Sequence, residues 1–167
     1  GANLTLDHVE DDPNSLPHPL VWKVFVDSKG SIWTATRFGI AKLDWSNKTF
    51  KRYIHSPGGK NIINNNDTRC LQEDLDNNIW YCTMNGLNRL NQNTGEIRRY
   101  SHHSGDKTSL GANQIWDLKV DSQGWLWVGT DHGGLNLYDS VNDNFIRYKN
   151  TPGDPSSISS NTIRALF

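Results

Sequence analysis

The chain has 167 residues, 35% of them hydrophobic, and its 17 Lys and Arg against 18 Asp and Glu leave a net charge of -1. It carries no basic stripe to match a phosphate backbone, which argues against nucleic acid as a partner of this segment, and no apolar run approaches the roughly 18 residues of a membrane helix. Mean hydropathy is -0.69, yet seven Trp, five Tyr and five Phe concentrate the apolar bulk in a few large side chains, as short half-buried strands require.

In chain order, Leu4 to Leu6 reads as an outer strand of a preceding or closing unit. Polar loops follow a recurring pattern in Asp12-Pro13-Asn14-Ser15-Leu16, Lys107-Thr108-Ser109-Leu110 and Asp154-Pro155-Ser156-Ser157-Ile158. The apolar members Leu16, Ile63, Leu110 and Ile158 are expected to pin these loops, and Asn66, Asn113 and Asn161 recur just before the next strand. Val21 to Val26, Thr68 to Glu73, Ile115 to Val120 and Ile163 to Phe167 align as first strands, with Val24, Leu71, Leu118 and Leu166 in register. Alternation places Trp22, Val24 and Val26 on one face. The turn that follows is Asp-x-x-Gly in the first and third units, where Gly takes the left-handed position; in the second unit Asn77 stands there, the next most tolerant residue.

Second strands run from Ile32 to Thr36, Ile79 to Thr83 and Leu126 to Thr130. Trp33, Trp80 and Trp127 are 47 residues apart in both steps, each with an Asp six before, a Thr three after and a Gly six after. The small side chains Ala35, Cys82 and Gly129 lie on the face of each indole and are expected to admit bulk from a neighbouring unit. Third strands run from Ile40 to Asp44, Leu87 to Asn91 and Leu135 to Asp139, with Gly134 adding one residue to the last repeat. Fourth strands, Phe50 to Tyr53, Glu96 to Tyr100 and Asn144 to Tyr148, close each unit. A fixed period with four antiparallel strands and no helical periodicity is the mark of a β-propeller blade. The fold class is therefore all-β, a partial propeller with units at 21–53, 68–100 and 115–148 and the inner strand of a fourth at 163–167. A β-sandwich would not demand the same Trp, Thr and Gly offsets in every unit.

The pattern Ser-Leu-x-x-Asn-x-Ile followed by Asp-x-x-Gly-x-Leu-Trp-Val-Gly-Thr-x-x-Gly-Gly-Leu, from Ser109 to Leu135 and restarting at Ser157, resembles the two-component regulator propeller repeat. The resemblance implies a hybrid two-component sensor of gut Bacteroidetes, with periplasmic propellers and an immunoglobulin-like domain. A membrane helix, histidine kinase, receiver and AraC-type DNA-binding domain would follow. It also implies an oligosaccharide ligand from plant or host glycans, and Leu4 to Leu6 as the strand that closes the first propeller. The middle unit departs from the pattern at Asn77, at Tyr81-Cys82 and in its single Gly after Met84-Asn85.

In a propeller the turns between second and third strands share the channel mouth with the residues that open the inner strands. The candidate ligand residues are thus Arg37, Phe38, Asn85, Asp131 and His132, together with Trp22, Arg69, Trp116 and Arg164, which alternate at one repeat position. Aromatic faces suit the C–H surface of a sugar and fork-shaped donors suit its hydroxyls or carboxylates. The competing role is structural, with Trp22 and Trp116 packed between blades and the Arg side chains capping carbonyls or pairing across the channel. The six His show no ligand spacing, so no metal or other cofactor is expected. Asp27, Asp74 and Asp121 recur at identical turns and read as turn formers, leaving no catalytic residue, although Asp131 and His132 are the faint candidates for a lyase or glycosidase propeller. Cys70 and Cys82 fall on adjacent strands, and two free buried thiols are favoured over a bridge, since Cys82 takes the small-residue position. The chain reads as an excised piece of a longer polypeptide whose remaining blades are its natural partners. Exposed edge strands lead to the expectation that the isolated piece self-associates; the other rival is a protein-interaction scaffold.

Overall fold

The computed structural model describes residues 6–55 and 65–167. The expected Leu4 to Leu6 strand, except Leu6, and the pinning role of Ile63 lie outside the described residues. Twelve strands form three four-stranded antiparallel sheets, each in sequence order. The first holds β1 (Val21–Val26), β2 (Ile32–Thr36), β3 (Gly39–Asp44) and β4 (Thr49–Tyr53). The second holds β5 (Thr68–Glu73), β6 (Asn78–Thr83), β7 (Gly86–Asn91) and β8 (Ile97–Tyr100). The third holds β9 (Ile115–Val120), β10 (Leu126–Thr130), β11 (Leu135–Asp139) and β12 (Asn144–Tyr148). Among the described residues no strand exchanges between sheets, which distinguishes radial blades from a sandwich.

Each blade is tied internally by one Asp. Asp27 Oδ1 accepts from the Lys29 and Ser31 amides while its Oδ2 accepts the Trp33 indole N–H at 2.9 Å. Asp74 holds Trp80 Nε1 at 2.6 Å and Asp121 holds Trp127 Nε1 at 2.9 Å in the same way. The recurring Asp is therefore both a turn former and the anchor of the indole. The Thr three residues beyond each Trp closes the opposite turn: Thr36 Oγ1 donates to Gly39 O, Thr83 Oγ1 to Gly86 O and Thr130 Oγ1 to Gly134 O. The left-handed glycine of the third blade is Gly134 (φ 79), the structural counterpart of Gly39 (φ 99) and Gly86 (φ 113). Gly133 is the inserted residue, so the expected Gly six after Trp127 is displaced by one. Asn77 takes φ 61, as its place in the turn requires.

The core lies between the sheets rather than within them. Trp33, Ala35 and Ile40 of the first blade pack with Leu71, Ile79, Tyr81 and Leu90 of the second. Trp80, Cys82, Leu87 and Tyr100 of the second pack with Ile115, Leu118, Val128 and Phe145 of the third. A polar latch crosses that second interface: Tyr100 and Tyr138 both donate to Asp143 Oδ1, at 2.7 and 2.6 Å, and Arg89 Nη1 donates to the Tyr138 hydroxyl at 2.7 Å. Leu16 and the partly buried Leu6 cover Leu43 and Phe50 of the first blade.

Two further expectations are corrected. Cys70 and Cys82 are disulfide-bonded, directly opposite in the β5–β6 ladder with Cα atoms 5.3 Å apart, a separation that suits a bridge. Residues 163–167 form no strand, because the described residues supply no strand for them to pair with. They lie against the third blade instead: Ile163 N donates to Thr130 O, and Leu166 N to Asp117 Oδ2 at 2.9 Å. The Ile163 side chain occupies the space over Gly129, as the small residue at that position led us to expect.

Candidate functional site

The site is built at the ends where the inner strands begin. All three inner strands are irregular at the same residue. In β1 the register passes from Val21 opposite Thr36 to Lys23 opposite Ala35, which leaves Trp22 without a cross-strand partner. In β5 the odd residue is Arg69 and in β9 it is Trp116. An extra residue of this kind bends the strand and re-aims a side chain. The simple alternation that grouped Trp22 with Val24 and Val26 is therefore interrupted.

The bulged side chains meet across the blades. The Arg69 guanidinium lies 5.5 Å from the Trp22 ring centroid and 5.9 Å from that of Trp116, and Arg164 lies 5.5 Å from Trp116. Trp22, Arg69, Trp116 and Arg164 thus form one alternating cation–π ladder along the inner rim. Asp67 Oδ2 pairs with Arg69 Nη2 at 3.2 Å. Two buried polar atoms of the ladder, Arg69 Nε and Trp116 Nε1, and Asp67 Oδ1 beside it have no hydrogen-bond partner among the described residues. Guanidinium groups from Arg69 and Arg164 flank Trp116, and Trp22, stacked by Arg69, is 51% exposed in this chain.

The turn residues join the same end but not the ladder. Arg37 N donates to Leu20 O and Asp131 N to Gln114 O, which ties each turn to the residue before an inner strand. Arg37 and Phe38 are exposed, and Asn85 N bonds Thr83 Oγ1. Asp131 Oδ1 accepts from Thr162 Oγ1 at 3.1 Å and lies 3.1 Å from His132 Nδ1. That carboxylate is engaged with the following loop, and the His132 backbone is in the left-handed region at φ 61. Asp131 thus closes the turn onto the following loop, with the exposed His132 beside it.

Sequence reasoning missed two features. The bulges leave no mark in residue type. Arg52 and Arg147, which hydrogen-bond the loops before their blades, do leave one, since Arg52-Tyr53, Arg99-Tyr100 and Arg147-Tyr148 repeat with the blades.

Residues 109–132 match the two-component regulator propeller family, and the chain carries that repeat. No curated protein matches the sequence. Among solved structures, the extracellular domain of a B. thetaiotaomicron protein described as a hybrid two component system, BT3049, is 26% identical, with a TM-score of 0.76 over 87% of this chain and 20% of its own. The corresponding domain of BT4673 from the same organism is 22% identical, with a TM-score of 0.73 over 92% of this chain and 20% of its own. The chain therefore spans about a fifth of the length of these two structures. Virginiamycin B lyase from Staphylococcus aureus shares the fold at 17% identity and a TM-score of 0.59, over 86% of this chain and 46% of its own.

Proposed function

We propose that this chain, which carries the two-component regulator propeller repeat, is a ligand-sensing segment of a periplasmic ectodomain. The ligand is an oligosaccharide, and binding is signalled to a histidine kinase in the same polypeptide. The observation that carries this reading is the Trp22–Arg69–Trp116–Arg164 ladder, in which Trp22 is 51% exposed. A sugar ring stacks on the open face of Trp22 through its C–H surface. Its hydroxyls or carboxylate take the remaining donors of the rim guanidinium groups. Arg37, Phe38, Asn85, Asp131 and His132 form the surrounding wall. The segment performs no catalysis: ligand binding favours one arrangement of the ectodomain, and only such differential binding can bias the kinase.

Calorimetric titration with a panel of neutral and uronate-containing oligosaccharides, run beside a reducing-end assay, tests this. Saturable binding without cleavage is expected; turnover by the chain would defeat the sensor reading.

The open outer faces support self-association. Val24 and Val26 are 60% and 57% exposed, whereas Leu71 and Leu118 at the position of Val24 in the later blades are 0% and 2% exposed against the preceding blade. The first blade thus presents a face that its neighbours bury. In sedimentation velocity, the sedimentation coefficient should rise with concentration; a single monomeric species throughout would refute association.

A further inference from the structure

Among the described residues, the loops that precede the first and third blades grip an arginine in the same way. Arg52 of β4 donates through Nε to Ser15 O at 2.6 Å and through Nη2 to Asp12 O at 2.5 Å, Ser15 Oγ at 2.7 Å and Leu16 O at 2.9 Å. Arg147 of β12 repeats this on the next described loop, with Nε to Ser109 O and Nη2 to Asp106 O and Ser109 Oγ, all at 2.7 Å. Two residues before each arginine, a backbone N–H also bonds the loop: Phe50 N to Asn14 O and Phe145 N to Thr108 O. The phenyl ring of that residue shares a core cluster with the loop's leucine, Leu16 or Leu110.

The loop after the third blade is built to the same plan, bond for bond. Thr151 N donates to Ser157 Oγ at 2.9 Å, as Val9 N does to Ser15 Oγ and His103 N to Ser109 Oγ. Ser156 N donates to Asp154 Oδ1 at 2.9 Å, matching Asn14 on Asp12 and Thr108 on Asp106. Asn150 Nδ2 reaches Ile158 O at 2.8 Å, where His8 and His102 use Nδ1 on Leu16 O and Leu110 O. Yet among the described residues no guanidinium enters this third socket. Ile158 is only half-buried, and a cleft of about 680 Å³ opens between the loop and β12.

We propose that Thr151–Ile158 is a preformed receptor for an arginine-bearing β-strand, reading aromatic-x-Arg, from a further propeller unit. The carbonyls of Asp154 and Ser157 and the Ser157 hydroxyl are already held in the arrangement that grips Arg52 and Arg147, so the loop pays little ordering entropy on binding. The acceptors fit a planar fork of donors; the compact ammonium of a lysine cannot engage them together. Ile158 receives the aromatic ring, as Leu16 and Leu110 do in the occupied loops.

The test is a titration of the isotopically labelled chain with a capped peptide, Asn-Asp-Asn-Phe-Ile-Arg-Tyr, which copies residues 142–148 and carries no net charge. Backbone amide shifts are followed by NMR. Saturable shifts confined to Thr151, Ser156, Ser157 and Ile158 are expected. Peptides with lysine in place of the arginine, or alanine in place of the phenylalanine, should bind at least about fivefold more weakly. The proposal is overturned by absence of shifts, by equal binding of the lysine peptide, or by the same shifts arising from protein concentration alone, which would assign the loop to a second copy of the chain.

Discussion

At the scale of single residues, neighbours on β6 have opposite roles. The Trp80 indole donates at 2.6 Å to the carboxylate that shapes the preceding turn. Trp80→Phe should therefore cost about 1–3 kcal/mol, since a hydrogen bond to a charged acceptor is lost and a smaller ring fills the core. Tyr81 is fully buried, and its hydroxyl has no hydrogen-bond partner among the described residues; burial pushes its ionisation well above the ordinary tyrosine value. Tyr81→Phe should be neutral or stabilising by up to about 2 kcal/mol. Urea unfolding of the two variants checks the pair, and a comparable loss in both would contradict this division.

The anchoring carboxylates also set an acid limit. Burial alone would raise the Asp27 pKa, but the Trp33 indole, the Ser31 and Lys29 amides and the Lys42 ammonium outweigh it and hold the group below its ordinary 3.8. The Trp127 indole and the Trp125 amide lead the same effect at Asp121. A carboxylate depressed in the folded state contributes stability that is present above its ordinary value and lost as pH falls through the folded value. The urea midpoint should stay level from pH 7 to about 5 and fall below pH 3.8. A midpoint that rises on acidification would run against the sign of these shifts.

At the scale of elements, the β5–β6 pair shows where sequence reasoning stops. Without a bulge, Thr68 opposite Thr83 would place Arg69 opposite Cys82 and leave Cys70 facing Tyr81. The extra residue at Arg69 advances the register so that Cys70 and Cys82 meet, and bulges of this kind carry no signature in residue type. The rule that small residues at this position admit a neighbour holds at Gly129 and at Cys82, which packs against the third blade; what failed was taking it to favour free thiols over a bridge. Strand identity, the Asp–Trp–Thr framework and the left-handed turn at Asn77 were legible because side-chain chemistry enforces them locally. The cation–π ladder was legible as an alternation of Trp and Arg, but its self-stacking depends on the bulges. The bridge closes a sequence separation of 12, so its reduction should cost about 2–3 kcal/mol. Mass spectrometry after iodoacetamide treatment in urea should find no adduct without reductant and two with it, and the reduced chain should unfold at lower urea. Labelling without reductant would contradict the bridge.

At the scale of the whole molecule, three wedges share interfaces built from one repeated grammar, and the ladder runs along the rim where their inner strands begin. Within this chain Trp116 lies between Arg69 and Arg164, and Trp22 is stacked by Arg69. Ligand affinity should therefore depend on Trp22 and Arg69 more than on any aromatic elsewhere. Trp125, 52% exposed at the opposite end of its blade, serves as the control. The most direct measurement is calorimetric titration of the tightest-binding oligosaccharide into the wild type, Trp22→Ala, Arg69→Met and Trp125→Ala. The account predicts at least a tenfold loss of affinity, about 1.4 kcal/mol, for the first two variants and none for the third. Unchanged affinity in Trp22→Ala and Arg69→Met, or a loss in Trp125→Ala alone, would contradict it.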